Sequence, residues 1–204
     1  MGEENPPTKN SDTDCELPTV AVTNVRSLEP KLKSVVCEFK ESDIDLLFVS
    51  EVWEKVNQVA FNEAIENLEE IEGIKYLSTG PRPNQKRGGA AIISNLKNFV
   101  VKKLDINHPK CLEVLWALAR KSGEGRRENI REFILCSFYS PPQKGKHNKL
   151  VQHINENLLV LLTRYPQAGF FICGDANKLD YSEIIRDDSM RAILMCEWGG
   201  RERG

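Results

Sequence analysis

Phe170-Phe171-Ile172-Cys173-Gly174-Asp175-Ala176-Asn177 is an apolar run that stops on an acid and an amide two residues apart. A continuous apolar run of this length suits a central strand covered on both faces. In extended chain Asp175 and Asn177 point to one side. A carboxylate and a carboxamide are therefore expected to project together from the strand's end. No other stretch places polar groups so pointedly after so apolar a run.

Working outward, three more strands end on polar groups. Residues 18–24 alternate, with Val20 and Val22 on one face, and close on Asn24. Leu46-Leu47-Phe48-Val49 is a second buried run and leads into Ser50-Glu51-Val52-Trp53. Residues 132–138 form a third and lead into Tyr139-Ser140-Pro141-Pro142. Between them, Leu32, Val35, Val36 and Phe39 recur at helical spacing over 30–42, with Pro30 suited to the first turn. Phe61, Ala64, Ile65 and Leu68 predict a second helix, which Gly73 breaks before a short strand at 74–77. Leu150, Ile154, Leu158 and Leu161 predict a third, with Asn148 as its N-cap.

Gly88-Gly89 precedes a strand at 90–94, and residues 99–106 and 112–120 read as further strands. With a hairpin turn at Ser122-Gly123-Glu124-Gly125, these make a run of antiparallel strands. Periodicity is weak after Lys178, and 199–204 reads as a frayed end. The polar stretch from Met1 to Leu17, with Pro6-Pro7, reads as a disordered tail. Residues 18–204 then form one domain of mixed α/β or α+β layers around a sheet core.

With 204 residues, 40% hydrophobic and 28% charged, the chain is long enough for a sizeable core. No apolar run approaches the length of a membrane span, and no secretory signal opens the chain, so an intracellular, non-secreted protein is expected. Six cysteines without a close Cys-x-x-Cys pair favour free buried thiols over disulfides or zinc. A net charge of −2 does not favour nucleic acid. Basic clusters at Lys86-Arg87, Arg120-Lys121, Arg126-Arg127 and Lys144/Lys146/Lys149 serve phosphate binding only if they share a face.

Taken singly, each polar strand end is ordinary. Together they hold the parts of a magnesium phosphoesterase. A hard divalent cation takes oxygen ligands, often one or two carboxylates, and leaves room for water and phosphate. Glu51 is the candidate metal ligand. Asn24, Asp175 and Asn177 are candidates to position the metal, the scissile phosphate and the attacking water, and Tyr139 to bond a phosphate oxygen.

In this order the chain resembles the endonuclease/exonuclease/phosphatase superfamily. Asn24-Val25-Arg26-Ser27-Leu28 with Lys31 is similar to the opening of non-LTR retrotransposon (LINE-type) endonucleases. The segment from Asp43 to Trp53 follows, then Arg87-Gly88-Gly89-Ala90-Ala91-Ile92, Glu113-Val114-Leu115-Trp116, Phe138-Tyr139-Ser140-Pro141-Pro142 and Gly174-Asp175-Ala176-Asn177.

The resemblance implies a DNase I-like fold, a two-sheet β-sandwich flanked by helices, here lacking its last strands. It implies phosphodiester cleavage by in-line water attack with Mg²⁺ or Mn²⁺, and DNA as partner. Asn24, Glu51, Tyr139, Asp175 and Asn177 would be catalytic, Glu51 the metal ligand, and Arg26 and Arg87 substrate-binding. Ala176, where the family usually has an aromatic, points away from the site and alters packing alone.

The family also carries a Ser-Asp-His near its C-terminus. Here no histidine follows His153, so the domain reads as truncated before that motif and weakly active or inactive. His108, in a turn, His147, in a basic loop, and His153, on a helix, read as surface residues. Two alternatives stay open. One is a non-catalytic remnant binding nucleic acid or protein, with self-association through unpaired sheet edges; the other is a phosphatase of a small phosphoester.

Overall fold

The structure is a computed structural model that describes residues 17–56, 58–81, 87–107, 109–122, 132–142, 144–177, 184 and 192–196. Apart from Leu17, the expected tail lies outside these residues, as do His108, Lys86, Arg126-Arg127, the turn at 123–125 and the end at 199–204.

Nine strands and three helices are described: β1 (Val20–Asn24), α1 (Leu32–Glu41, after a 3-10 turn at Glu29–Lys31), β2 (Leu46–Ser50), α2 (Val59–Glu72), β3 (Ile74–Ser78), β4 (Ala90–Asn95), β5 (Phe99–Lys103), β6 (Glu113–Lys121), β7 (Glu132–Tyr139), α3 (Lys144–Arg164), β8 (Gly169–Asp175) and β9 (Ala192–Cys196). They build a four-stranded sheet in the order β1-β2-β4-β3 and a five-stranded sheet in the order β5-β6-β7-β8-β9. The expected antiparallel run is divided between the two sheets: β4 pairs with β2 and β3, while β5, β6 and β7 pair with one another.

Side-chain alternation explains why β2 and β8 are apolar throughout. Leu46 and Phe48 of β2 meet Phe171 and Cys173 of β8, together with Leu115, Ala117, Phe133 and Leu135, in the layer between the sheets. Leu47 and Val49 turn the other way, onto Leu32, Val36 and Phe39 of α1 and Phe61 of α2. Phe170 and Ile172 pack outward against Leu150, Ile154, Leu158 and Leu161 of α3. Strands β2 and β8 are thus covered on both faces, which is why their runs are apolar without a break. Burying each large apolar side chain contributes roughly 1.5–3 kcal/mol. Ser137 Oγ, between the sheets, donates to the Ala91 carbonyl at 3.0 Å and ties one sheet to the other.

Helix α2 ends where expected. Gly73 takes a left-handed φ of +66° and its N–H reaches the Leu68 carbonyl. Helix α3, in contrast, begins at Lys144, so Asn148 lies inside it rather than capping it, and His147 is helical. His153 is buried and not a surface residue: its Nε2 accepts the Trp116 indole N–H at 3.3 Å on the α3 face of β6. Polar rings drop out of a hydrophobic count, so the stripe looked narrower than the buried face is. Cys136 and Cys173 are buried and outside any disulfide, as expected, but Cys37 is exposed.

Weak periodicity after 178 hides β9, which pairs in parallel with β8 from Phe170↔Ala192 to Gly174↔Cys196. Its sequence, Ala192-Ile193-Leu194-Met195-Cys196, is apolar throughout, so no alternation marks it as a strand. Among the described residues no helix is long and apolar enough to cross a membrane.

Gly174 is the tightest point of β8, since a Cβ there would be driven into the Phe138 carbonyl on β7. Gly174→Ala is expected to lower stability by on the order of 2 kcal/mol through overpacking, read as a lower urea midpoint with an unchanged m-value.

Candidate active site

All the polar strand ends lie on one edge of the sandwich. β1 and β2 run in parallel and finish together, Asn24 opposite Ser50. β7 and β8 also run in parallel and finish with Tyr139 opposite Asp175, and antiparallel β6 begins there with Glu113 opposite Tyr139. Parity then aims the side chains. Val20 and Val22 face the inter-sheet layer, and Asn24 shares their phase; Asp175 continues Phe171 and Cys173. Glu113 is in phase with Leu115 and Ala117, and Tyr139 with Phe133 and Leu135. Four polar groups therefore converge from two sheets.

Glu51 is out of phase, because Ser50 holds the inward position. It reaches the cleft through a left-handed backbone, φ +56°, which re-aims the side chain after β2. The Asn24 Nδ2 group donates to Glu51 Oε1 at 2.8 Å and to Asp175 Oδ2 at 2.6 Å, joining the two carboxylates across the sandwich. Trp53 Nε1 donates to Glu51 Oε2 at 3.1 Å. The Asn24 side-chain Oδ1 in turn accepts the Arg26 backbone N–H at 3.2 Å.

Asp175 is 8% exposed. Its Oδ1 accepts the Asn177 N–H at 2.9 Å, and its backbone carbonyl accepts the Ser140 N–H at 2.8 Å. Asn177 departs from the extended geometry expected of it. Strand β8 stops at Asp175, and Asn177 is left-handed, φ +51°. Its carboxamide donates to the Ser140 carbonyl at 2.8 Å instead of projecting alongside Asp175. Asparagine tolerates this backbone better than most residues, so the chain turns there and braces the acid. Ala176 is buried with the α3-side cluster, away from the cleft, as expected. The Ser140 hydroxyl is buried without a hydrogen-bond partner among the described residues, a corner that a water or a ligand oxygen would complete.

Tyr139 stands among carboxylates. Burial, then Glu51, Asp175 and Glu113, push its phenol up to about 12, with Arg87 pulling the other way. It is therefore a proton-bearing hydrogen-bond donor at neutral pH. Arg87 lies with its guanidinium carbon 5.3 Å from the Trp53 ring centroid, a cation–π stack at the rim. Arg26 is exposed beside Asn24. Among the basic clusters, Arg120 pairs with Glu132 at 2.8 Å and is spent on β6–β7 pairing.

The carboxylate oxygens of Glu51 and Asp175, brought together by the Asn24 Nδ2 group, suit a hard divalent cation. Among the described residues no three His, Cys, Asp or Glu gather to enclose an ion.

Glu113 is the site residue that the sequence reading passed over. In sequence it is only an acid opening an otherwise apolar strand; the structure places it opposite Tyr139 and 3% exposed.

No protein-family model matches the chain, and no curated protein matches it. Among solved structures it is similar to truncated Caenorhabditis elegans TDP2, with a TM-score of 0.55 and 18% identity over 84% of this chain and 66% of that one. TDP2 from C. elegans gives 0.53 and 19%, over 80% and 47%. ANGEL2, a 2′,3′-cyclic phosphatase in complex with adenosine-2′,3′-vanadate, gives 0.51 and 15%, over 81% and 55%. The chain thus spans two thirds or less of each. The likeness is one of fold: the two-sheet, helix-flanked sandwich is the DNase I-like fold of these neighbours.

Tyr139 provides a check on the geometry. Its phenol is expected to ionise near pH 12, about two units above a free tyrosine, and Tyr139→Phe should remove that step from a 295 nm absorbance titration. Because the folded state holds this proton more tightly than the unfolded chain, the associated stability is complete below pH ~10 and is lost as pH rises toward 12.

Proposed function

We propose that this chain is a Mg²⁺- or Mn²⁺-dependent phosphodiesterase domain of the non-LTR retrotransposon endonuclease type, acting on DNA. The observation that carries the reading is the Asn24 carboxamide bridging Glu51 and Asp175 from opposite sheets, with the Tyr139 phenol beside them. The ordered motifs from Asn24-Val25-Arg26-Ser27-Leu28 to Gly174-Asp175-Ala176-Asn177 support the retrotransposon branch.

Glu51 would hold the divalent ion. When bound, the ion supplies charge neutralisation at the scissile phosphate. Asp175 orients the attacking water and accepts its proton, and Asn24 fixes the two carboxylates relative to each other. Asn177 keeps Asp175 aimed through its N–H. Tyr139, protonated, donates to a non-bridging phosphate oxygen as charge builds there. Arg26 and the stacked Arg87 take flanking phosphates of the strand.

Protonation of the leaving oxygen has no histidine among the described residues to serve it. His147 Nε2 bonds the Pro141 carbonyl at 2.8 Å, and His153 is buried against Trp116. A positioned acid typically contributes 10²–10⁴-fold, so turnover by this polypeptide is expected to be slow by about that factor.

On supercoiled plasmid in Mg²⁺ or Mn²⁺ the expected result is slow nicking that Glu51→Gln abolishes. Mn²⁺ should raise the Tm of the wild type but not of Glu51→Gln. Nicking indifferent to Glu51→Gln would overturn the mechanism. Faster hydrolysis of a nucleoside 2′,3′-cyclic phosphate than of plasmid would move the substrate to a small phosphoester. DNA binding without cleavage, equal in wild type and variant, would favour a binding module, and a dimer in size-exclusion chromatography would add self-association through sheet edges.

A further inference from the structure

We propose that Glu113 is a positioning residue for this site, acting through the Gly88–Gly89 arm to set Trp53, and through Trp53 the Glu51 carboxylate and the Arg87 guanidinium. The effect on turnover rests on the phosphoesterase reading; the positioning itself does not.

Glu113 opens β6 in the five-stranded sheet and is almost fully buried. A carboxylate so placed is destabilising unless hydrogen bonds satisfy it. Its Oε2 accepts the backbone N–H of Gly89, which leads into β4 of the other sheet. The approach is possible only because residue 88 lacks a side chain: a Cβ at Gly88 would land on the Glu113 carboxylate. Gly88 and Gly89 also take φ of +100° and +91°, values other residues rarely adopt. On its far side Gly89 is equally confined, since a Cβ there would come 2.7 Å from Val52 Cγ2. The arm is held from both sides.

The held arm then sets Trp53. The Gly88 carbonyl accepts the Trp53 N–H at 2.9 Å. Trp53, itself left-handed at φ +52°, directs its indole N–H to Glu51 Oε2. Arg87, the residue before the arm, lies over the Trp53 ring. Contacts therefore run without a gap from Glu113 through Gly89, Gly88 and Trp53 to Glu51. A buried acid in one sheet fixes the metal-ligand candidate of the other. A group that orients such a ligand from behind typically affects affinity or activity by about 10- to 100-fold when removed.

The test uses the full 204-residue chain, ¹⁵N-labelled. In the wild type the Gly89 amide, though outside any strand, is expected to exchange with solvent as slowly as a strand amide. Exchange at an open-loop rate would overturn the proposal, and this arm needs no variant to fold. The Trp53 indole resonance is identified with Trp53→Phe. Glu113→Ala is expected to shift both the Gly89 amide and the Trp53 indole, whereas Glu113→Gln, whose amide oxygen still accepts, leaves them in place. In the nicking assay Glu113→Ala should lower kcat by about 10- to 100-fold with a smaller change in KM, and Glu113→Gln should restore it.

Resonances unmoved in Glu113→Ala would overturn the proposal. So would equal loss of kcat in the Ala and Gln variants with the indole in place, because charge rather than position would then matter. If the wild type shows no turnover, the phosphoesterase reading fails, and the amide and indole measurements still decide this one.

Discussion

The structure depends on one amide. The Asn24 side chain donates to Glu51 and to Asp175, residues 27 and 151 positions away along the chain. A primary amide has two N–H donors, so one side chain can bond both carboxylates while bringing no charge of its own. For it to do so, two sheets must pack with their polar strand ends on the same edge. The inter-sheet layer of Leu46, Phe48, Ile92, Phe133 and Phe171 secures that packing. Phe133, within 6 Å of both the Phe99 and Phe171 ring centroids, sits at its centre. The core thus sets the separation of the sheets, and the amide converts that separation into a site.

The edge that bears the site is also where the backbone departs most from its preferred regions. Arg26, Ser27, Glu51, Trp53 and Asn177 all have positive φ, as do Gly88 and Gly89. Each non-glycine residue held there costs on the order of 1 kcal/mol or more. Glu51 shows what the cost obtains. Strand alternation alone would send it toward the helices, and only a left-handed residue returns it to the cleft. Nearby bonds over-determine the geometry: Ser27 and Leu28 donate to the Glu51 and Val52 carbonyls at 2.8 and 3.0 Å.

Much of this was legible in the chain. Apolar runs at 46–49 and 170–173 marked strands covered on both faces, and the helical stripes identified what covers them. Alternation placed Ala176 away from the site and Asp175 in it. What escaped did so for definite reasons. Asn177 was read in extended phase, but the strand ends two residues before it. His153 was read as a surface residue because a polar ring leaves no mark in an apolar stripe, though the Trp116 indole satisfies it in the core. Strand β9 is a short, uniformly apolar run with no alternation to distinguish it. Glu113 looked like an ordinary polar strand start, since nothing local says that its neighbour across the register is Tyr139 or that a glycine arm from the other sheet closes over it.

By itself the sequence determined which residues were polar at strand ends and which faces were apolar, because burial on two faces demands an unbroken hydrophobic run. Only the tertiary structure decided that Asn24, Glu51, Tyr139 and Asp175 meet. Their meeting depends on strand register, on sheet-to-sheet packing and on a left-handed turn at Glu51, all long-range consequences of how two sheets bury one layer. Phe170 to Asn177 announced a polar pair at a strand's end. The fold kept Asp175 in the cleft and turned Asn177 into its brace, because the backbone N–H of Asn177 could satisfy a buried carboxylate that its side chain could not reach in extended chain.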